Sequence, residues 1–244
     1  MAKQMELELG CSWGGAREGA GRKRADGRTG PAIAHRVRDE HANRHPIHVT
    51  LRARAGLPTF RQEAILRALH RCLGRANARD RHFVHFSLQI DHLHLLLEEL
   101  SRDSIARTIQ GIASSTARSF NRVLGRSGAL WHERYHRHDL CTPTEVHRAL
   151  GYVLHNCRKH ARDARELERR MRGLDPFSSA AWFDGWDARG ARAAEELRTE
   201  LARRGLVRCT AVPKTFLLAH GYSKLGAIAF DHIPSSAFTR KVAS

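Results

Sequence analysis

Between Pro46 and Lys159 the apolar residues switch repeatedly between a two-residue and a helical period. The order of those switches restricts the chain to few folds. Ile47, Val49 and Leu51 alternate with His48, Thr50 and Arg52, which predicts a half-buried strand. Over residues 60–80, Ile65, Leu66, Leu69 and Leu73 return at helical spacing, with arginines on the other side. Val84, Phe86, Leu88 and Ile90 then alternate with Phe83, His85, Ser87 and Gln89. Leu93, Leu95 and Leu97 alternate with His92, His94 and Leu96, so a hairpin through Asp91 is expected. Residues 103–124 read as a long amphipathic helix with Ile105, Ile109, Ile112, Phe120 and Val123 inward and Gly125 as its stop. Residues 129–140 are ambiguous in pattern but fall where a fourth strand belongs. Thr142-Pro143-Thr144-Glu145 is a capping box with proline at the first helical position, opening a helix that runs to about Lys159. The order strand, helix, strand, strand, helix, strand, helix predicts an α+β domain over 46–160, an antiparallel sheet with helices packed on one face.

The flanks read differently. Residues 1–45, with Gly14-Gly15-Ala16-Arg17-Glu18-Gly19-Ala20-Gly21-Arg22-Lys23-Arg24, are too rich in glycine for a helix and too polar for a strand, so a flexible basic arm is expected. The arm is a near miss for a phosphate loop: no Lys-Ser/Thr follows its glycines and no strand precedes them. Residues 161–230 read as a smaller helical C-terminal extension. It has a charged helix over Arg162–Arg172, a break at Asp175-Pro176-Phe177, Trp182 and Trp186 in a loop-like stretch, and a helix over 191–204. Residues 231–244 read as a tail, and no internal repeat is present.

Charge narrows the partner. The formal net charge is +17, and 36 of the 42 basic residues are arginine, whose planar fork grips phosphate oxygens in pairs. A GC-rich genome could supply the same arginines as solvated surface, but a sequence pI near 11 favours a nucleic acid. No run of eighteen apolar residues is present, no segment pairs a basic with a broad apolar face, and the N-terminus lacks a basic-then-apolar build. Five scattered cysteines without a C-x-x-C argue for a reducing compartment and against a zinc ribbon, so a cytoplasmic protein without membrane association is expected.

Two motifs carry candidate chemistry. His92 and His94, two apart on a strand, share a face and could ligate one metal, although most H-x-H pairs are surface or satisfied core histidines. Tyr152 is one of three tyrosines. With Asn156 it lies one turn apart on the capped helix, off the apolar stripe of Val146, Leu150, Val153 and Cys157. Alone, Tyr152 reads as a peripheral core residue; the amide one turn on supplies a third ligand type beside two imidazoles. His132-Glu133-Arg134-Tyr135-His136 matches the zinc-protease signature H-E-x-x-H. That chemistry needs one helix face, and no helical apolar stripe surrounds it. In a strand the two histidines would stand about 13 Å apart, too far to share an ion.

Asp91-His92-Leu93-His94-Leu95-Leu96-Leu97-Glu98 followed by Tyr152-Val153-Leu154-His155-Asn156 resembles the HUH single-tyrosine transposases, most closely the REP-associated branch of the IS200-like enzymes. The likeness runs from His48-Val49-Thr50-Leu51-Arg52 through Arg134-Tyr135-His136 to Asp175-Pro176-Phe177-Ser178-Ser179 and Trp182-Phe183-Asp184-Gly185-Trp186, and includes the Gly-Ala-Gly-Arg-Lys arm. The resemblance implies a ferredoxin-like sheet, the HUH fold. It implies Tyr152 as nucleophile, His92 and His94 as ligands of a divalent Mg2+ or Mn2+, and Asn156 as third ligand. The implied substrate is single-stranded DNA beside a hairpin, cleaved and rejoined through a 5′-phosphotyrosine in the cytoplasm, at the bacterial nucleoid. Arg22, Lys23 and Arg24 would contact the stem, and Arg118, Arg122, Arg158 and Lys159 the phosphates. A homodimer is compatible with the family. The sequence departs from many relatives at Cys157, where they carry proline, and beyond Tyr222. The competing expectations are a non-catalytic DNA- or RNA-binding regulator that keeps the fold, and, further off, the zinc protease.

Overall fold

A computed structural model of the chain describes residues 41–98, 102–132 and 134–234. The strands are β1 (Ile47–Arg52), β2 (His82–Leu88), β3 (His92–Glu98) and β4 (His136–Asp139). The helices are α1 (Glu63–Asn77), α2 (Arg102–Val123), α3 (Pro143–Leu154), α4 (Asn156–Lys159), α5 (Ala164–Met171), α6 (Ala188–Arg203) and α7 (Phe216–Ala219). The four strands form one antiparallel sheet in the order β2-β3-β1-β4. With α1 and α2 as the two crossovers, this is the ferredoxin-like α+β arrangement that the resemblance implies.

Register follows from the alternation. Val49 pairs with Leu95 and Thr50 with His94, while Phe86 pairs with Leu95 and Ser87 with His94. One face of the sheet is therefore aliphatic and aromatic, and α1 and α2 cover it. His70 of α1 lies edge-on to Phe86 at 5.5 Å, and Phe120 of α2 meets Phe60 at 5.3 Å. Ile65, Leu66, Leu69, Leu73, Ile109 and Phe120 are fully buried in that layer. The hairpin is shorter than the alternation suggests. Residues 89–91 leave the pleat, Gln89 N–H donates to His92 O, and Ile90 is left 52% exposed where strand periodicity would bury it.

The second face is covered by α3, and the chain after Leu174 closes the open edge of β2. Phe177 O accepts from Leu88 N–H, Ser178 bridges Ser87, and Ser179 Oγ accepts from Phe86 N–H. Glu98 accepts from the backbone N–H of Lys214 and Thr215 and from the Thr215 hydroxyl. Leu174, Trp182, Trp186, Ile228 and Phe230 thus join the same core as the sheet. The charged stretch 162–172 is helical only over α5, and the segment with Trp182 contains a 3-10 turn at Ser179–Trp182.

The capping box is present as read. Thr142 Oγ1 accepts from Glu145 N–H, and the Glu145 carboxylate accepts from Thr142 N–H. The helix it opens does not run unbroken to Lys159. It ends at His155, which leaves helical geometry at φ −111 and ψ 13, and one turn restarts at Asn156. Two anchors flank the break. His155 Nε2 is 3.1 Å from Ala229 O, and the Arg158 guanidinium donates to Phe230 O, His232 O and Gly173 O.

Candidate functional site

The site forms where the polar face of β3 meets α3. His92 and His94 stand one above the other on that face, their rings 4.7 Å apart, with Leu93 and Leu95 buried on the other side. Tyr152, in the last turn of α3, brings its ring to 5.2 Å from His94 and 6.0 Å from His48. Lys159 of α4 lies 4.9 Å over the Tyr152 ring, with Nζ 3.5 Å from the hydroxyl. His92 and His94 of β3 are therefore brought together with Tyr152 of α3 and Lys159 of α4, far apart in sequence.

The partners of the histidines fix which nitrogen faces outward. His92 Nδ1 is 2.7 Å from Asp91 Oδ1. An N–H donated there leaves a lone pair on Nε2, as in metal-ligating histidines oriented by a carboxylate. His94 Nδ1 lies 3.0 Å from Thr50 Oγ1 and 3.2 Å from His48 Nε2, while its own Nε2 is buried without a partner. Burial pushes both histidines below the ordinary imidazole range, with Asp91 partly offsetting the shift at His92. Neutral imidazole is the form that ligates metal. Burial acts on Asp91 in the opposite direction, but its hydrogen bond with His92 and the charge of Arg52 outweigh it and hold the carboxyl below its ordinary range.

Asn156 is fully buried, and neither its amide oxygen nor its amide nitrogen has a hydrogen-bond partner. A buried amide in that state costs about 1–3 kcal/mol, so a ligand that satisfies it is expected. No group of three His, Cys, Asp or Glu able to hold a metal occurs among the described residues. An amide oxygen is a donor type that suits a hard divalent cation. The donor set His92, His94 and Asn156 therefore fits Mg2+ or Mn2+ in its chemistry.

Other expectations land elsewhere. Arg158 corrects its reading as a phosphate contact: it is 2% exposed, and its guanidinium is spent on three backbone carbonyls. Arg118 and Arg122 are exposed on α2, across the sheet from Tyr152. Arg22, Lys23 and Arg24 lie outside the described residues, as does Glu133 of the H-E-x-x-H match. His132 precedes β4 and His136 begins it, and among the described residues no helix lies between them, so the single helix face that a zinc protease needs is not seen there. The sequence reading missed His48, Thr50 and Asp91 as partners of the histidines. The signal for the first two was present, since both lie on the polar face of β1 by simple alternation. Which β1 residue faces His94 was set by register. None of Cys72, Cys141, Cys157 and Cys209 forms a disulfide. No helix among the described residues is long and apolar enough to cross a membrane.

Comparison with known proteins finds one family model that matches part of the chain. No curated protein matches the chain. Among solved structures, one match is a REP-associated tyrosine transposase bound to a REP hairpin. It is 14% identical, at a TM-score of 0.45, over 74% of this chain and 92% of that one. Residues 41–153, the segment from the start of the sheet to the turn that carries Tyr152, match the family model of the IS200-like transposases. The sheet, the histidine pair and the tyrosine helix lie in that segment, so the part of the chain that carries the candidate site is the part similar to the IS200-like transposases.

Proposed function

We propose that the protein is a divalent-metal-dependent transesterase of single-stranded DNA, with Tyr152 as the nucleophile and His92, His94 and Asn156 as the metal-binding residues. The observation that carries the reading is the placement of Tyr152 between the His92–His94 pair and Lys159. The Tyr152 phenolic oxygen attacks the phosphorus, the bond from phosphorus to the 3′ oxygen breaks, and that oxygen leaves as a 3′-hydroxyl once protonated. The DNA is then held as a 5′-phosphotyrosine, and reversal by another 3′-hydroxyl rejoins a strand without ATP.

A phenol with an ordinary pKa near 10 is a weak nucleophile at neutral pH. A divalent ion, when bound, supplies Lewis-acid stabilisation of charge on the scissile phosphate. The protein's own contribution is positional. Asp91 and Thr50 orient the two imidazoles, and the Lys159 ammonium offsets negative charge on the attacking oxygen. A single strand suits such a site, because its backbone bends without the cost of opening a duplex.

The test is a 3′-labelled DNA hairpin with single-stranded flanks, incubated with Mn2+. Wild type forms an adduct that survives denaturing electrophoresis, and Tyr152→Phe forms none. Equal behaviour of the two proteins overturns the assignment. DNA binding that survives His92→Ala/His94→Ala, together with no cleavage by wild type in either metal, identifies the non-catalytic regulator instead.

A further inference from the structure

His160 closes α4 at φ −97 and ψ 16, and its ring stands 5.4 Å from that of His92. No step of the phosphotyrosine reaction uses it. Its Nε2 is buried without a hydrogen-bond partner. Among the described residues eight buried side-chain nitrogen and oxygen atoms are unpartnered in this way, and four of them belong to His94, Asn156 and His160. An unmet buried polar atom costs about 1–3 kcal/mol, so three such residues around one site point to a molecule that completes them. A divalent ion on His94 Nε2 and the Asn156 oxygen accounts for two of the three and leaves His160 over.

The place of His160 follows from helical spacing. Tyr152, Asn156 and His160 are four residues apart in turn, a spacing that sets side chains one above another on a helix. The ring contacts follow the same order. Tyr152 meets His94 at 5.2 Å, His94 meets His92 at 4.7 Å, and His92 meets His160 at 5.4 Å. The tyrosine helix and its restart therefore pass β3 in the opposite direction, with the nucleophile at one end of the histidine pair and His160 at the other. Displacement at phosphorus sets the attacking and leaving oxygens roughly in line, on opposite sides of the phosphorus. A phosphate centred on the histidine pair and attacked from the Tyr152 end thus turns its leaving oxygen toward His160.

We propose that His160 is a catalytic residue on the leaving-group side, its Nε2–H donating a hydrogen bond to the 3′ oxygen as that oxygen departs. The inference rests on Tyr152 as the nucleophile. As the Tyr152 oxygen bonds to phosphorus, the bond from phosphorus to the 3′ oxygen breaks and its electron pair goes to that oxygen. The phenol's proton passes to water, the 3′ oxygen takes one from water, and the imidazole keeps its own throughout. Negative charge gathers on the 3′ oxygen only as the bond breaks, so a donor aimed there acts on the transition state. In the reverse, rejoining direction the same N–H holds the incoming 3′-hydroxyl by its oxygen.

The test compares two DNA hairpin substrates in single-turnover adduct formation by the full chain with Mn2+. The cleaved linkage is located first, from the length of the released 5′ fragment. One substrate carries the natural 3′ oxygen at that linkage and the other a 3′ sulfur. A thiolate, whose conjugate acid has an ordinary pKa of about 8.5, leaves with little need of a hydrogen bond. His160→Ala slows the oxygen substrate by about ten- to a hundredfold, the weight of one hydrogen bond to a charged group, and the sulfur substrate by less than about twofold. His160→Phe, which keeps a ring against His92, does the same. The ratio of the two rates is read within one variant, so a partial loss of folded protein cancels. Equal slowing of both substrates, or of neither, overturns the proposal. Mn2+ affinity without DNA, read from the electron paramagnetic resonance of the free ion, is unchanged in His160→Ala; a weaker affinity makes His160 a metal ligand and overturns the leaving-group role. Wild type that forms no adduct with either substrate overturns the Tyr152 reading and this inference with it. A wild-type adduct with an unchanged oxygen-to-sulfur ratio in the variants overturns this inference alone.

Discussion

Asn156 shows how a buried residue can be retained against stability. Its amide is fully enclosed and unpartnered, an arrangement that costs free energy on folding unless a ligand completes it. Replacing it with an apolar residue of similar volume should therefore separate folding from function. Asn156→Leu is expected to raise stability without metal by about 1 kcal/mol, read from urea midpoints in chelator, and to abolish the covalent adduct. A lower midpoint together with retained adduct formation would remove Asn156 from the ligand set. Arg158, two residues on, is the opposite case. It too is buried, but its donors are matched to Phe230, His232 and Gly173 carbonyls, so its charge serves the structure. The sequence showed both residues equally well and could not tell the unsatisfied one from the satisfied one, because the partners of Arg158 come from Gly173, Phe230 and His232, distant in sequence.

At the scale of elements, α3 is the part most directly specified by local sequence. Thr142, Pro143 and Glu145 fix its start, and the position of Tyr152 follows from counting turns from that start. Thr142→Ala removes the hydroxyl that accepts from Glu145 N–H and is expected to cost about 1 kcal/mol. The same change should slow adduct formation, since fraying begins in the helix that aims the tyrosine. A stability loss with an unchanged adduct rate would show that the sheet alone positions Tyr152. The end of the helix was less legible. Nothing in the run from Leu154 to Lys159 breaks a helix by propensity. The break at His155 coincides with side-chain anchors to Ala229 and Phe230, more than seventy residues away. β2 shows the same limit: alternation carried the strand through Ile90, but a tight hairpin to His92 takes residues 89–91 out of the sheet.

At the scale of the whole molecule, the histidines on the polar face of the sheet are packed as neutral core residues. His85 is enclosed beside Ser179 and Phe183, and burial pushes its imidazole down to about 3. Its folded pKa lies below the unfolded value near 6.5, so its contribution to stability is complete above about pH 6.5. That contribution is lost as pH falls toward 3, at about 1.4 kcal/mol per pH unit for a single ring. Urea midpoints should fall between pH 6.5 and 4, and His85→Gln should flatten that dependence by about the same slope. Identical pH profiles for the two proteins would place the acid sensitivity elsewhere. His70, pushed down to about 4 by burial against Phe86 and Trp182, adds to the wild-type slope in the same direction.

The sequence by itself determined the order of elements, the faces of the strands, the cap of the tyrosine helix and the spacing of the histidine pair. Each of these is set by interactions within a few residues: period-two alternation, period-3.6 burial and a reciprocal side-chain cap. Only the tertiary structure decided which β1 residues meet His94, that Lys159 rather than Arg158 reaches the tyrosine, and that arginines from α1, α2 and the turn before β2 share one groove. Those outcomes depend on sheet register and on packing between distant segments, where a shift of one residue moves a side chain to the opposite face. The +17 charge belongs to both levels. Its amount is written in the composition, while its division between buried anchors, ion pairs and an open cationic groove is a property of the fold.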